Sequence, residues 1–335
     1  MSDPLDKLFR DIKKLKVAVI GDVMLDTYWW GNVDRISPEG PVPVVSVTKK
    51  EYRIGGAGNV ALNARSLECE VSLISVIGND QEGHVLKNLL EENQIDTTYL
   101  QTSESRSTTN KIRIIGRNQQ MMRLDAESTH EIDQDEQNEL FQKVQEFVTT
   151  SKPDLIIFQD YNKGVLTEDL IKRVIELCIE NKIFTAVDPK RKNFFAYKRV
   201  DLFKPNLKEV KESLHILSDG LDEAQLREIH LQLTGSLSHN ISLITLSDKG
   251  LFFRKDGTGG IIPSHLRNIA DVSGAGDTVI AVASLVYAAT KNVILMAEIA
   301  NIAGGIVCEQ VGTVAIDKEK LLSECQLLLP AQLLA

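Results

Sequence analysis

The sequence predicts an α/β protein whose sheet is largely parallel and covered by helices on both faces. Three observations carry this. Short, continuous apolar runs recur along the chain: KVAVI at 16–20, VSLISVI at 71–77, DLIIF at 154–158, IFTAV at 183–187, VDLF at 200–203 and ISLITL at 241–246. Segments of helical period lie between most of them, as at 81–93, 133–149 and 167–181. Polar residues gather just after the runs: Gly21-Asp22, Gly78-Asn79-Asp80, Gln159-Asp160, Asp188-Pro189-Lys190, Lys204-Pro205-Asn206 and Ser247-Asp248. Ligands of open α/β sheets bind at the carboxyl ends of strands, so this gathering favours a site there over ordinary loop polarity.

No internal repeat or low-complexity linker interrupts the 335 residues, and 43 % of them are hydrophobic. We therefore expect residues 1–335 to form a single domain around one large core. A net charge of −9 argues against nucleic-acid and anionic-membrane partners, whose surfaces would repel it. The N-terminal MSDPLDKLFRDIKKLK is charged throughout, and no stretch reaches the ~18 uninterrupted apolar residues of a membrane span; both predict a cytoplasmic protein. The four cysteines form no C-x-x-C pair and the six histidines no H-E-x-x-H set. Reduced, mostly buried thiols are expected, with neither a disulfide framework nor a transition-metal site.

Two segments break the α/β rhythm. GNVDRISPEGPVPVVSV at 31–47 and TTNKIRIIGRNQQMMRL at 108–124 are β-branched, partly alternating, and punctuated by Gly and Pro. They predict a small antiparallel sheet, built from about 27–50 and 106–125, that projects from the core as a lid over the strand ends or as a dimer contact. The apolar C-terminal LLSECQLLLPAQLLA is expected to pack as a last helix.

In DVSGAGDTVIAV at 271–282, Gly274-Ala275-Gly276 precedes a buried helix, so free amides and the positive end of the helix dipole suit an anion. Asp277 is either the N-cap of a tight turn or, held ionised by the dipole, a base beside a phosphate cradle. GGAGNVA at 55–61 matches G-x-G-x-x-A, with Asp80 about 22 residues on, in the manner of a dinucleotide fingerprint. The charged VTKKEYRI before it is a poor buried strand, which weakens that match; no G-x-x-x-x-G-K-[ST] occurs. Asp22 and Asp26, after the first run, could accept hydrogen bonds from vicinal hydroxyls or simply solvate and cap a loop. Lys163 in DYNKG and Lys190 in DPKRKNF bring cations to the sheet mouth, which suits a phosphorylated substrate. Arg191 and Lys192 read better as solvated loop.

Together these motifs resemble the ribokinase-like (PfkB-type) carbohydrate kinases: DVSGAGDT is similar to that family's C-terminal signature, GGAGNVALN to its glycine signature, and NLKE at 206–209 to its N-x-x-E motif. GDVMLDTYWWG, RISPEGPVPVV, RNQQMMRLD, DPK and DVSGAGDTVI resemble the family's heptose branch, the kinase part of heptose 7-phosphate kinase/heptose 1-phosphate adenylyltransferase proteins. The likeness runs from about Val17 to Thr313. It implies a three-layer α/β/α core with a mostly parallel sheet and a β lid, and ATP-dependent phosphorylation of the anomeric hydroxyl of D-glycero-β-D-manno-heptose 7-phosphate. By the same correspondence Asp277 is the base, and the Gly274, Ala275 and Gly276 amides form an anion hole. Asn206 and Glu209 would hold Mg-ATP, Glu209 through water. Thr245, Ser247, Gly250 and Asn301 would line the nucleotide pocket. Asp22, Asp26, Gly55, Gly56, Asn59 and Asp160 would face the sugar, and charge and location more than motif make Arg123, Lys163 and Lys190 the candidates for its 7-phosphate or the lid. A monovalent cation, K+, would sit near Asp271 and Gly312-Thr313. Separately, the lid segments themselves suggest a homodimer whose small sheets pair, since exposed β edges are usually covered.

Gly58 stands where the heptose branch usually has alanine, a change expected to be harmless if the helix start tolerates added flexibility. No GxFDxxHxGH motif of the adenylyltransferase occurs, so only the kinase half is expected. Two alternatives stay open on sequence: another sugar or nucleoside kinase of this fold, or a noncatalytic sugar-phosphate sensor.

Overall fold

A computed structural model describes residues 4–116, 119–217 and 221–333. Arg117 and Asn118 of the RNQQMMRLD motif lie outside the described residues. In chain order the elements are α1 (Pro4–Ile12), β1 (Lys16–Gly21), β2 (Val23–Ile36), β3 (Pro43–Gly56), α2 (Ala57–Ser66), β4 (Glu70–Gly78), α3 (Gln81–Glu92), β5 (Leu100–Ser103), β6 (Asn110–Gly116), β7 (Gln119–Ala126) and α4 (Gln134–Ser151). Then follow β8 (Leu155–Gln159), α5 (Glu168–Asn181), β9 (Phe184–Asp188), β10 (Leu202–Phe203), α6 (Leu207–Leu214), α7 (Glu223–Leu237), β11 (Ile241–Thr245), β12 (Leu251–Lys255), β13 (Thr258–Ile262), α8 (Ala275–Thr290), α9 (Val293–Val307) and α10 (Lys318–Leu328).

Among the described residues nine strands form one sheet in the order β13-β12-β11-β10-β9-β8-β1-β4-β5. From β11 to β5 every pairing is parallel, and the two pairings at the other edge, β11–β12 and β12–β13, are antiparallel. Alternation along each strand feeds two cores. Val17 and Val19 of β1 pack with α1, α2, α8 and α9, whereas Ala18 and Ile20 pack with α4, α5 and α7. Continuous apolar runs were therefore the correct sign of strands buried on both faces. The four cysteines are buried and unpaired, and burial pushes the thiols of Cys69, Cys178 and Cys325 up to about 12. Among the described residues no helix is long and apolar enough to cross a membrane.

The two segments that broke the rhythm form a second sheet, in the order β3-β2-β6-β7. Its outer pairings are antiparallel as expected, but its central pair β2–β6 is parallel, which corrects the expectation of a wholly antiparallel sheet. Both central strands emerge beyond the carboxyl ends of main-sheet strands, β2 after β1 and β6 after β5, and so run the same way. The strands also begin nearer the core than 27 and end later than 50, because β2 starts directly after Asp22 and β3 runs through Gly56. Register places Asp26, Lys111 and Arg113 on one face and Ile112, Ile114, Met122 and Leu124 on the other.

Gly58 lies in the first turn of α2, where a Cβ would come within 2.4 Å of the Ile54 Cγ2 and 3.1 Å of the Val23 Cγ2. Ile54 is β-branched and stiff, so this glycine makes room for packing; it is not a neutral stand-in for alanine. The Gly58→Ala protein is expected to lose about 1 to 2 kcal/mol, overpacking outweighing the gain in helix propensity. Urea denaturation checks this, and an unchanged midpoint would show that Ile54 can move aside.

Candidate functional site

The site forms where β1, β8, β9, β10 and β11 end and α6 and α8 begin. Gly274, in the left-handed region at φ 80°, is the N-cap of α8, which makes Asp277 the third residue of the helix and removes it as the cap. A Cβ on Gly274 would approach the Asn59 Nδ2 to 2.8 Å, so the turn requires glycine on two counts. The first-turn amides, Gly276 among them, lack intrahelical acceptors; that of Ala275 turns back to the Val272 carbonyl at 3.3 Å.

Asp277 is 2 % exposed, and its carboxylate accepts three hydrogen bonds. Asn59 Nδ2 donates to Oδ2 at 2.8 Å, while Gln159 Nε2 at 3.0 Å and the Tyr161 hydroxyl at 2.8 Å donate to Oδ1. Burial pushes the Asp277 carboxyl up to about 6, the Asp188 charge adding to the rise while Asn59, Tyr161 and Lys204 oppose it. The helix dipole alone was expected to keep it ionised; desolvation is the larger effect, and it leaves a group poised near neutrality. Burial and the adjoining Asp277 hold the Tyr161 hydroxyl well above its usual range, so it stays a donor.

Cations lie close by. Lys204, 2 % exposed, pairs with Asp188 at 3.0 Å, and both heads sit 3.7 Å from where a Gly276 Cβ would be. Lys190 pairs with Glu209 and stacks 5.5 Å from the Tyr161 ring centre. Although burial opposes its charge, Asp188 and Glu209 hold the Lys190 ammonium above its ordinary pKa. Asn206 and Glu209 close a reciprocal capping box on α6: Asn206 Oδ1 accepts from the Glu209 N–H and Glu209 Oε2 from the Asn206 N–H, each at 2.8 Å.

Beside this centre opens a cleft of about 1210 Å³, lined by Asn206, Thr245, Ser247, Gly250, Gly276 and Asn301 among others. Of the residues expected around Mg-ATP it brings together Asn206, Thr245, Ser247, Gly250 and Asn301, while Glu209 does not line it. Gly250, at φ 93°, has no room for a side chain against the Ile262 carbonyl, 2.0 Å from its would-be Cβ. Asn301 donates to the Pro263 carbonyl at 2.9 Å. Among the described residues no cluster of three or more His, Cys, Asp or Glu could hold a metal ion. Asp271 accepts from the Ser273 N–H and hydroxyl and, through Oδ2, from the Gly312 N–H at 2.8 Å.

Several residues expected to meet a sugar do other work. Asp22, 1 % exposed, accepts the N–H groups of Tyr161, Lys163 and Val165, and Asp160 accepts from the Tyr197 hydroxyl, the Asn193 amide and the Asn162 N–H. Both are spent on fixing the loop after β8. Asp26 pairs with Arg113 and accepts from the Thr313 hydroxyl, and Asn59 holds Asp277. Gly55 and Gly56 let β3 pass close to Asp26 Oδ2 and the Asp22 carbonyl, 2.5 and 2.4 Å from their would-be Cβ atoms. Arg123 is paired with Asp125 at 2.8 Å on the exposed β7, and Lys163 with Glu127 at 2.7 Å, so neither is a free phosphate ligand here. Gln159, Tyr161, Asp188 and Lys204 were not singled out as site residues, although three of them occupy the polar strand ends noted in the sequence.

The pattern of pfkB family carbohydrate kinases matches residues 14–320. The bifunctional protein HldE of Syntrophotalea carbinolica is 39 % identical over 95 % of this chain, and that of Aliarcobacter butzleri 39 % over 90 %. The chain spans 64 % and 62 % of the lengths of those relatives. Among solved structures, the tetrameric inhibited form of Escherichia coli phosphofructokinase-2 superposes with a TM-score of 0.75 at 16 % identity, covering 93 % of this chain and 99 % of that one. Arabidopsis thaliana ribokinase complexed with ribose and ATP gives 0.70 at 14 % identity, covering 92 % and 99 %. These structural likenesses establish a ribokinase-like α/β fold.

Carboxyl-resolved NMR titration is expected to place Asp277 near pH 6. Tyr161→Phe removes a donor to the charged form, so it should raise that midpoint by about one pH unit. A midpoint unmoved by the substitution would show that the Tyr161 bond does not favour the carboxylate.

Proposed function

The chain belongs to the pfkB family of carbohydrate kinases, and from that premise we propose that it transfers the γ-phosphoryl group of ATP to the anomeric hydroxyl of D-glycero-β-D-manno-heptose 7-phosphate. One observation carries the chemistry: a buried carboxylate, Asp277, stands in the first turn of a helix whose amides border a nucleotide-sized cleft. The heptose-branch segments from Gly21 to Val45 and RNQQMMRLD support the choice of acceptor.

In this reading Asp277 accepts the proton as the hydroxyl oxygen bonds to the γ-phosphorus, and the bond from that phosphorus to the β-bridging oxygen breaks to release ADP. The amides of Gly274 and Gly276, that of Ala275 once it leaves the Val272 carbonyl, and the Lys204 ammonium meet the negative charge on the transferring group. Mg2+ supplies further charge neutralisation when bound with ATP; Glu209, beside Asn206 at the start of α6, would steady it through water. Asn59, Gln159 and Tyr161 hold the base in place. A potassium complex is described for Escherichia coli phosphofructokinase-2, and a monovalent cation near Asp271 and Gly312 is the corresponding proposal here. The work is proposed to be cytoplasmic.

The second sheet carries the proposal of a homodimer. On its outward face Tyr52, Met122 and Leu124 are exposed by 41 %, 55 % and 42 %, an apolar patch that a second copy would cover. Light scattering is expected to give twice the chain mass, and Met122→Lys with Leu124→Lys to give the monomer; a monomeric wild type would refute the dimer.

Release of ADP is expected with the heptose 7-phosphate and to be weak with fructose, fructose 6-phosphate, ribose or adenosine. Asp277→Asn should lower kcat by roughly 10² or more. Turnover of another acceptor alone would move the chain to a different branch of the family, and ligand binding without ADP release would revive a sensor.

A further inference from the structure

We infer that Lys111, on β6, is the residue that binds the phosphate already carried by the acceptor and so makes this kinase prefer phosphorylated over neutral sugars. The inference deepens the proposed function and rests on it.

The cations first expected in that role are committed elsewhere. Lys163 is paired with Glu127, Lys190 with Glu209, and Arg123 with Asp125. Lys111 is different. Its register neighbours across the sheet are Asp26 on β2 and Asp125 on β7, but those carboxylates are taken by Arg113 and Arg123. Among the described residues the Lys111 ammonium has no hydrogen-bond or ion-pair partner, and it stands 5.6 Å from the centre of the Tyr161 ring. It is also half-buried, and desolvation draws its pKa below the ordinary lysine value despite the nearby Asp26. A partly desolvated ammonium without a paired anion is unfavourable, and a phosphate dianion reverses that cost.

Position adds the second argument. Lys111 shares the charged face of the second sheet with Asp26 and Arg113, and Tyr161 links it to the reaction centre, since the ring under its ammonium ends in the hydroxyl bonded to Asp277. Ammonium and base are thus separated by on the order of 10 Å, one tyrosine side chain and its two contacts. A sugar of six or seven carbons extended between its anomeric oxygen and a terminal phosphate covers a similar span. A neutral sugar would present Asp277 with the same hydroxyl but leave Lys111 unpartnered.

The test is steady-state kinetics of wild type, Lys111→Met and Lys111→Arg on two acceptors, D-glycero-D-manno-heptose 7-phosphate and the same heptose without its phosphate. Lys111→Met is expected to raise KM for the phosphorylated acceptor by about 10- to 100-fold with little loss of kcat, erasing the preference between the two. Lys111→Arg should restore most of it, and KM for ATP should stay level. Equal losses on both acceptors, or an unchanged KM in Lys111→Met, would overturn the assignment of Lys111 while leaving the proposed function standing. A wild type that does not favour the phosphorylated heptose would instead sink the proposed function and this inference with it.

Discussion

The structure is organised around the burial of one carboxylate. Asp277 sits at the head of α8 where its charge is least solvated, and three side chains from different parts of the chain converge on it: Asn59 from α2, Gln159 from the end of β8, and Tyr161 from the loop beyond. A buried carboxylate without such donors would simply take up a proton. With them its pKa settles at about 6, between the exposed and the fully silenced values. The glycines around it follow from the same constraint, because Gly274 must both turn with positive φ and leave space for Asn59.

The second sheet is tied to this centre through a separate chain of contacts. Arg53 of β3 and Arg113 of β6 lie over the Tyr28 ring at 4.8 and 5.2 Å, and Arg53 donates to the carbonyls of Val311 and Thr313 at 2.7 and 3.3 Å. Between those two residues Gly312, at φ 77°, donates its N–H to Asp271, which in turn fixes Ser273 just before the α8 turn. A Cβ at Gly312 would lie 2.6 Å from the Tyr28 hydroxyl. The tilt of the second sheet and the shape of the amide turn are therefore not independent, since both rest on one segment of backbone.

How much of this the sequence disclosed depends on whether a feature is local. The strands of the parallel sheet were legible because burial on both faces leaves an uninterrupted apolar run, and α3, α4 and α5 because their period is local. The strand β5, LQTS, is too short and polar to stand out, whereas β12–β13 carried an unused signal: Asp256 and Gly257 both have positive φ, the Asp-Gly turn of a tight hairpin. The parallel pairing of β2 with β6 depends on which main-sheet strands they follow, which no window of residues reveals. At the site, Gly274 to Asp277 announced themselves by composition. The jobs of Asp22 and Asp160 did not, because an aspartate at a strand end looks the same whether it meets a ligand or, as here, three protein donors. Tyr161 was hidden by its own kind of residue, since a tyrosine in a loop signals nothing until its hydroxyl is found on Asp277.

The pair Lys204–Asp188 shows the same tension between burial and charge. A buried ion pair is a weak source of stability, because desolvating both ions offsets most of their attraction. Its value lies in position: both heads lie beside Gly276, and the Asp188 charge also raises the Asp277 pKa while Lys204 lowers it. A fixed cation next to the amides of α8 is already oriented before any anion arrives, so no reorganisation is needed when negative charge develops there. Asp188 restrains that cation, so the ammonium beside the helix dipole is paired. Under the proposed reaction, the phosphoryl group in transit therefore meets a positive charge whose desolvation was completed on folding, and the energy of binding ATP is left for orienting the transfer.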